Sequence, residues 1–170
     1  MGAFTGSNDY LDGRKPMPTS EEGSDVLSVR FTLAMATADL DANDIGPIGK
    51  LPAGHVPVAM YIDGTDMDAS TAALVVQIGI GNAALTDAAG AVSADLKNTL
   101  MSTKAVDGGA AWGSSANTGT DGAFMQQIIG RPMAIVTAVE YDRTIIAKIT
   151  TPPTTAAAGT LGLTLLYRPA

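Results

Sequence analysis

The chain has no cysteine, one histidine, one tryptophan and three phenylalanines among its 170 residues. Without cysteine there is no disulfide, no thiolate metal site and no thiol nucleophile, a composition that fits synthesis in a reducing cytosol. The lone histidine, His55, cannot build a metal cluster, and catalytic use would need a partner that the sequence does not flag. A structural or exposed histidine is the reading it favours. Only three glutamates occur, and Glu21 and Glu22 sit near the N-terminus, which leaves little for a glycosidase-type carboxylate pair. Ten Lys and Arg stand against 17 Asp and Glu, for a formal charge of −7. The cations are scattered, so no basic stripe tracks phosphates and no nucleic-acid partner is expected. The acidic excess serves solubility. No apolar run is long enough to span a bilayer, so no membrane partner is expected. Residues 1–9 lack the basic and apolar regions of a signal peptide. Met1-Gly2 opens like a myristoylation signal, but Gly6 stands where that signal needs Ser or Thr.

What is present reads as one β domain behind an arm. The length fits a single domain able to bury a core of its own. Asp greatly outnumbers Glu, the bias of a loop-rich β chain, because Asp favours turns. Residues 1–25 are crowded with Gly, Ser, Asn, Asp, Pro and Glu, and Pro16-Met17-Pro18 forbids regular structure there. Phe4, Tyr10, Leu11 and Met17 are spaced along this arm like anchors, and are the candidate partner-binding residues. Each contributes roughly 1.5–3 kcal/mol if it fills a pocket, before the cost of ordering the arm. A frayed terminus is the alternative.

Residues 26–170 form the expected sandwich. Leu27, Val29, Phe31, Leu33 and Met35 alternate with smaller or polar residues, the period of a half-buried strand. Ile45 to Leu51 is extended but broken by glycine and proline. In the strand His55 to Ile62, Val56, Val58, Met60 and Ile62 are expected on one face, with Pro57 marking an edge or a bulge. Leu74 to Ile80, Met133 to Tyr141, Thr144 to Thr150 and Leu161 to Arg168 complete the strands. Ser93 to Met101 is the best helical candidate, capped by Ser93, with Leu96 and Leu100 sharing a face. Phe124-Met125 and Ile128-Ile129 also have helical spacing before Gly130-Arg131-Pro132. The expected fold is all-β: a single jelly-roll-like β-sandwich with an extended N-terminal arm and one short helix.

The motifs that carry chemistry are weak. Asp63, Asp66 and Asp68, and likewise Asp39, Asp41 and Asp44, are acidic clusters with a cation reading. The spacing misses an EF-hand loop, and turn chemistry accounts for both. Gly79-Ile80-Gly81 lacks the third glycine of a dinucleotide fingerprint. No serine lies in a Gly-x-Ser-x-Gly elbow. No catalytic residue, cofactor or metal is assigned. Trp112, set among small residues, is a candidate exposed recognition aromatic, with core packing under a loop as the equal alternative.

The Gly/Asp/Arg-containing arm precedes the first strand, and Leu51-Pro52-Ala53-Gly54-His55-Val56-Pro57-Val58 opens the second main one. Val76-Gln77-Ile78-Gly79-Ile80, Gly108-Gly109, Asp142-Arg143-Thr144-Ile145, Gly159-Thr160-Leu161 and Leu165-Leu166-Tyr167-Arg168 follow in order. In this pattern the chain resembles small virion proteins of tailed bacteriophages, the capsid decoration or head-stabilising class. The resemblance runs from about residue 26 to the end. It implies a β-sandwich without catalysis, seated on the outer face of the major capsid protein lattice, often as homotrimers. It also implies synthesis in a host cytoplasm and residence on the virion exterior. Other virion components, such as a head-fibre base, neck or tail protein, and a surface or carbohydrate-binding module are the alternatives.

Overall fold

The computed structural model describes residues 2–19, 25–65, 67–69, 73–81, 98–101, 124–128, 138 and 140–170. Among them are eight strands: β1 (Leu27–Met35), β2 (Ile45–Leu51), β3 (His55–Gly64), β4 (Val75–Gly81), β5 (Asn98–Met101), β6 (Phe124–Ile128), β7 (Arg143–Thr151) and β8 (Gly159–Pro169). They form two four-stranded antiparallel sheets, ordered β1-β8-β3-β6 and β2-β7-β4-β5. The pairs β1·β8, β2·β7, β3·β6 and β4·β5 are nested one inside the next. The chain is therefore one long hairpin whose strands are dealt alternately between two sheets. That connectivity is a jelly roll.

The alternation in β1 survives folding intact: Val29, Phe31, Leu33 and Met35 are buried, while Ser28, Arg30, Thr32 and Ala34 are exposed. Facing them across β8, Leu161, Leu163, Leu165 and Tyr167 are all buried. From the second sheet Ile48, Leu51, Ile78, Ile145 and Ile149 close the same core. Each such side chain contributes roughly 1.5–3 kcal/mol by leaving water.

β3 departs from the expected alternation. His55 and Pro57 point inward, Val58 is exposed, and Met60 and Ile62 are inward again. The register to β8 slips between Pro57 and Ala59, so Val58 is the extra residue of a bulge and the faces exchange there. β3 lies inside its sheet, where a proline is tolerated only at such an irregularity.

Helix is where the sequence misleads. Residues 93–97 of the expected helix lie outside the described residues, and its described end, Asn98–Met101, is strand β5 on β4. One Leu–Leu pair is a weak helical signal, and Asn98 and Thr99 are indifferent helix formers, so strand pairing prevails. Phe124–Ile128 is likewise β6 on β3, not helix. Among the described residues a 3-10 turn forms over Thr37–Asp39, between β1 and β2. Of the strand expected over 133–141, Glu140 and Tyr141 form a bend before β7, and residues 133–137 and 139 lie outside the described residues.

Candidate functional surface

The N-terminal segment is laid along the open side of the sandwich, where β1 and β2 are the edge strands of their sheets. Gly2–Phe4 adds to β2: Ala3 bridges Ile45 in parallel, the Ile45 amide donates to the Gly2 carbonyl (3.1 Å) and the Phe4 amide to the Ile45 carbonyl (3.1 Å). The Phe4 ring lies over Gly46, where a Cβ would stand 2.7 Å from Phe4 atoms. Gly6 then rests against the Ala34 carbonyl of β1. Asn8 donates from its side chain to the Ile48 carbonyl of β2 (3.2 Å), and the Tyr10 ring meets Phe31 of β1 edge-on at 5.2 Å. The segment thus stitches the two edges together, touching β2 and β1 in turn. Backbone bonds over Asn8–Lys15 fold a tight turn whose amides at Asp12 and Lys15 donate to Asn8 and Asp9. Beyond it the Tyr167 hydroxyl donates to the Pro18 carbonyl at 2.6 Å.

Two buried carboxylates hold this segment. Asp39 accepts from the Thr5 amide (2.8 Å), the Thr5 hydroxyl (3.0 Å) and the Ala36 amide (2.8 Å). Asp44 accepts from the Gly2 amide and from the Asp41 amide. Of the four anchors, Phe4 is buried in the chain's own core, and Tyr10 and Met17 pack partly buried against it. Leu11 is half-buried, and its amide donates to the Asn8 side chain. A small open cleft of about 290 Å³ lies beside the turn, lined by Ser7, Asn8, Tyr10, Lys15, Arg30 and Thr32 among others. Its two cations are already engaged. Lys15 sits 4.9 Å from the Tyr10 ring centre, and Arg30 makes a two-point pair with Asp63 (2.5 and 2.6 Å). The Asp63 hydrogen bonds raise the Arg30 pKa further above its ordinary value, against a smaller opposing effect of burial.

Of the remaining sequence candidates, Asp68 and His55 are tied into the fold by hydrogen bonds to backbone groups. Asp68 accepts from the amides of Ala73, Thr154 and Thr155 at 2.9–3.0 Å, which ties the β3–β4 loop to the β7–β8 loop. Asp66 and Trp112 lie outside the described residues. Among the described residues no three His, Asp or Glu side chains converge as metal ligands would. His55 is buried beside Tyr167 (ring centres 5.5 Å apart), and its Nδ1 meets the Ala53 carbonyl at 2.7 Å. Its Nε2 meets no hydroxyl or carboxylate among the described residues, so the ring is not part of an acid–base pair there. Arg143 donates to the His55 carbonyl (2.8 Å), and burial lowers its pKa. Burial also pushes the Tyr167 phenol up to about 12. Arg143 holds the start of β3, and Tyr167 holds the N-terminal segment.

The outward face of the first sheet divides into two halves. One carries the Arg30–Asp63 pair bridged to Thr164, and the other mixes Val56, Val58 and Leu166 with the exposed Ser28 and Arg168 that lie in register with them.

The whole fold is similar to that of a chain from the capsid of Ralstonia phage GP4. The TM-score is 0.64 with 22% identity, over 95% of this chain and 96% of that one. It is also similar to a chain from the cyanophage Pam1 capsid asymmetric unit, with TM-score 0.53 and 14% identity over 92% and 94%. At these identities the likeness is one of fold. Coverage is nearly complete on both sides, so the matched chains are of comparable length. No known protein-family profile matches the sequence, and no curated protein matches it.

Proposed function

We propose that this chain is a structural virion protein of a tailed phage that seats on the outer surface of the capsid lattice and stabilises it, as a decoration or cement protein. Its partners are the major capsid protein and copies of itself, in homotrimers. It is made in the host cytoplasm and resides on the particle exterior. The observation that carries this reading is the likeness, over nearly the full length of both chains, to a chain of the Ralstonia phage GP4 capsid. A jelly roll by itself does not choose, since the same architecture serves lectins and small-molecule binders. The use of the side chains adds support. The buried carboxylates of Asp39, Asp44 and Asp68 accept from backbone amides, as a scaffold requires. Many weakly held copies acting on one shell would stabilise it by avidity.

The test is electron microscopy of intact particles with quantitation of the protein per particle, and thermal melting of capsids with and without it. Hundreds of copies on the shell exterior and a raised capsid melting temperature are expected. A few copies at one vertex would instead make it a neck, tail or fibre-base component. Sugar binding that depends on Trp112 would make it a carbohydrate-binding module.

A further inference from the structure

The contacts of the N-terminal segment are those of a bound peptide. Three residues add to a sheet edge by main-chain hydrogen bonds, an aromatic ring fills a slot over Gly46, and two carboxylates receive amides. That is β-strand addition with a side-chain pocket, and none of it requires the segment to come from the same chain. The connection back to the body has more residues than the gap between its described ends requires. The Pro18 carbonyl is held by the Tyr167 hydroxyl, and Tyr167 is the cross-strand partner of Leu27. Residues 19–26 therefore join two points separated by about one tyrosine side chain and one strand spacing. A connection of that length reaches roughly 30 Å when extended.

We propose that the segment is exchangeable: residues 2–19 of one copy seat in the β1/β2 seam of a second copy of this chain. Closed and exchanged forms have the same seam contacts, so they differ chiefly in connection entropy and in the concentration of neighbours. A surface that gathers copies side by side favours exchange, and each exchanged arm then links two bodies. Phe4 and Tyr10, with Met17 beyond them, become the contacts between copies. The inference extends the arm-anchor reading but does not need a capsid.

The absence of native cysteine makes the test clean. Two full-length variants, Ala3→Cys and Asp41→Cys, each place one thiol at an exposed position near the Asp44 latch. They are co-refolded at high concentration and treated with a short bis-maleimide. The double variant at high dilution controls for reach by closing on itself. Exchange predicts a cross-linked species holding one copy of each chain, reduced at least tenfold when the Asp41→Cys copy also carries Gly46→Ala, which fills the Phe4 slot. If the diluted double variant closes but the mixture yields no mixed dimer, or yields one indifferent to Gly46→Ala, the inference is overturned. A mixed dimer without capsid occupancy would sink the decoration role and leave exchange standing. Occupancy without a mixed dimer would do the reverse.

Discussion

Asp39 and Tyr167 hold the two ends of the seam, and each makes a prediction at the scale of one side chain. Asp39 is 1% exposed, and its two oxygens meet three donors. Asparagine keeps the shape but replaces one oxygen with a donor, so at least one of those groups loses its acceptor. Asp39→Asn should cost about 1–3 kcal/mol in urea unfolding, the scale of leaving a buried donor unmet, and Asp39→Ala should cost at least as much. Tyr167 governs the alkaline side. The folded phenol keeps its proton to about pH 12 because the ionised form would be buried, whereas an unfolded tyrosine releases it near 10. The native state is thus favoured in full below about pH 10, and that advantage, on the order of 2 kcal/mol, is lost as the pH rises toward 12. Urea midpoints measured across this range should fall for the native chain and fall less for Tyr167→Phe. The phenolate absorbance step near pH 12 should be missing from the variant. At neutral pH the same variant should lose roughly 0.5–1.5 kcal/mol with the bond to Pro18.

At the scale of elements the seam segment behaves as a unit that can leave. Phe4 is 8% exposed, and a buried Phe→Ala change costs about 3–5 kcal/mol where the chain has no escape. Here the segment can release instead, so the cost is capped by its docking free energy. Gly46→Ala tests this, because the added Cβ meets Phe4 at 2.7 Å while the Gly46 backbone lies outside the left-handed region that favours glycine. The expected result is fast amide exchange and protease cleavage across residues 2–19, with protection in β1, β7 and β8 retained. The sequence marks this segment through its misfit residues: Phe4, Tyr10 and Met17 are apolar in a polar stretch, and all three meet the core. Which copy's core they meet is not written in their spacing. β1 was legible because one face is wet and the other buried, so its period stays clean. β3 was legible only up to its bulge, which Pro57 announces without saying which residue is extra or that the faces exchange. β5 and β6 were not legible, since short runs such as Asn98–Met101 fit either period and only the partner strand decides. Asp39, Asp44 and Asp68 stood out as clusters, but their partners lie up to 87 residues away. The local part, the Ala36 and Asp41 amides, follows the turn chemistry that the spacing favours, whereas acceptance from Thr5, Gly2 and Thr155 has no signal in the spacing.

For the whole molecule, the nested pairing sets the order in which contacts can form. β1 finds β8 at the far end of the chain, Leu27 opposite Tyr167, and β2 finds β7. Such non-local pairing places folding in roughly the millisecond-to-second range, because long loops must close before any pairing stabilises them. The seam segment depends on that outcome. Its contacts alternate between β2 and β1, so its site exists only once both sheets stand with their edges side by side. Its interactions are then absent from the folding transition state, and interactions absent there slow unfolding without speeding folding. Deleting residues 2–19 should therefore leave the folding limb of a stopped-flow chevron within about twofold and raise the unfolding rate by nearly the whole equilibrium loss. If the deletion instead slows folding in proportion to the stability lost, the segment helps to nucleate the sandwich and is not laid over a finished one.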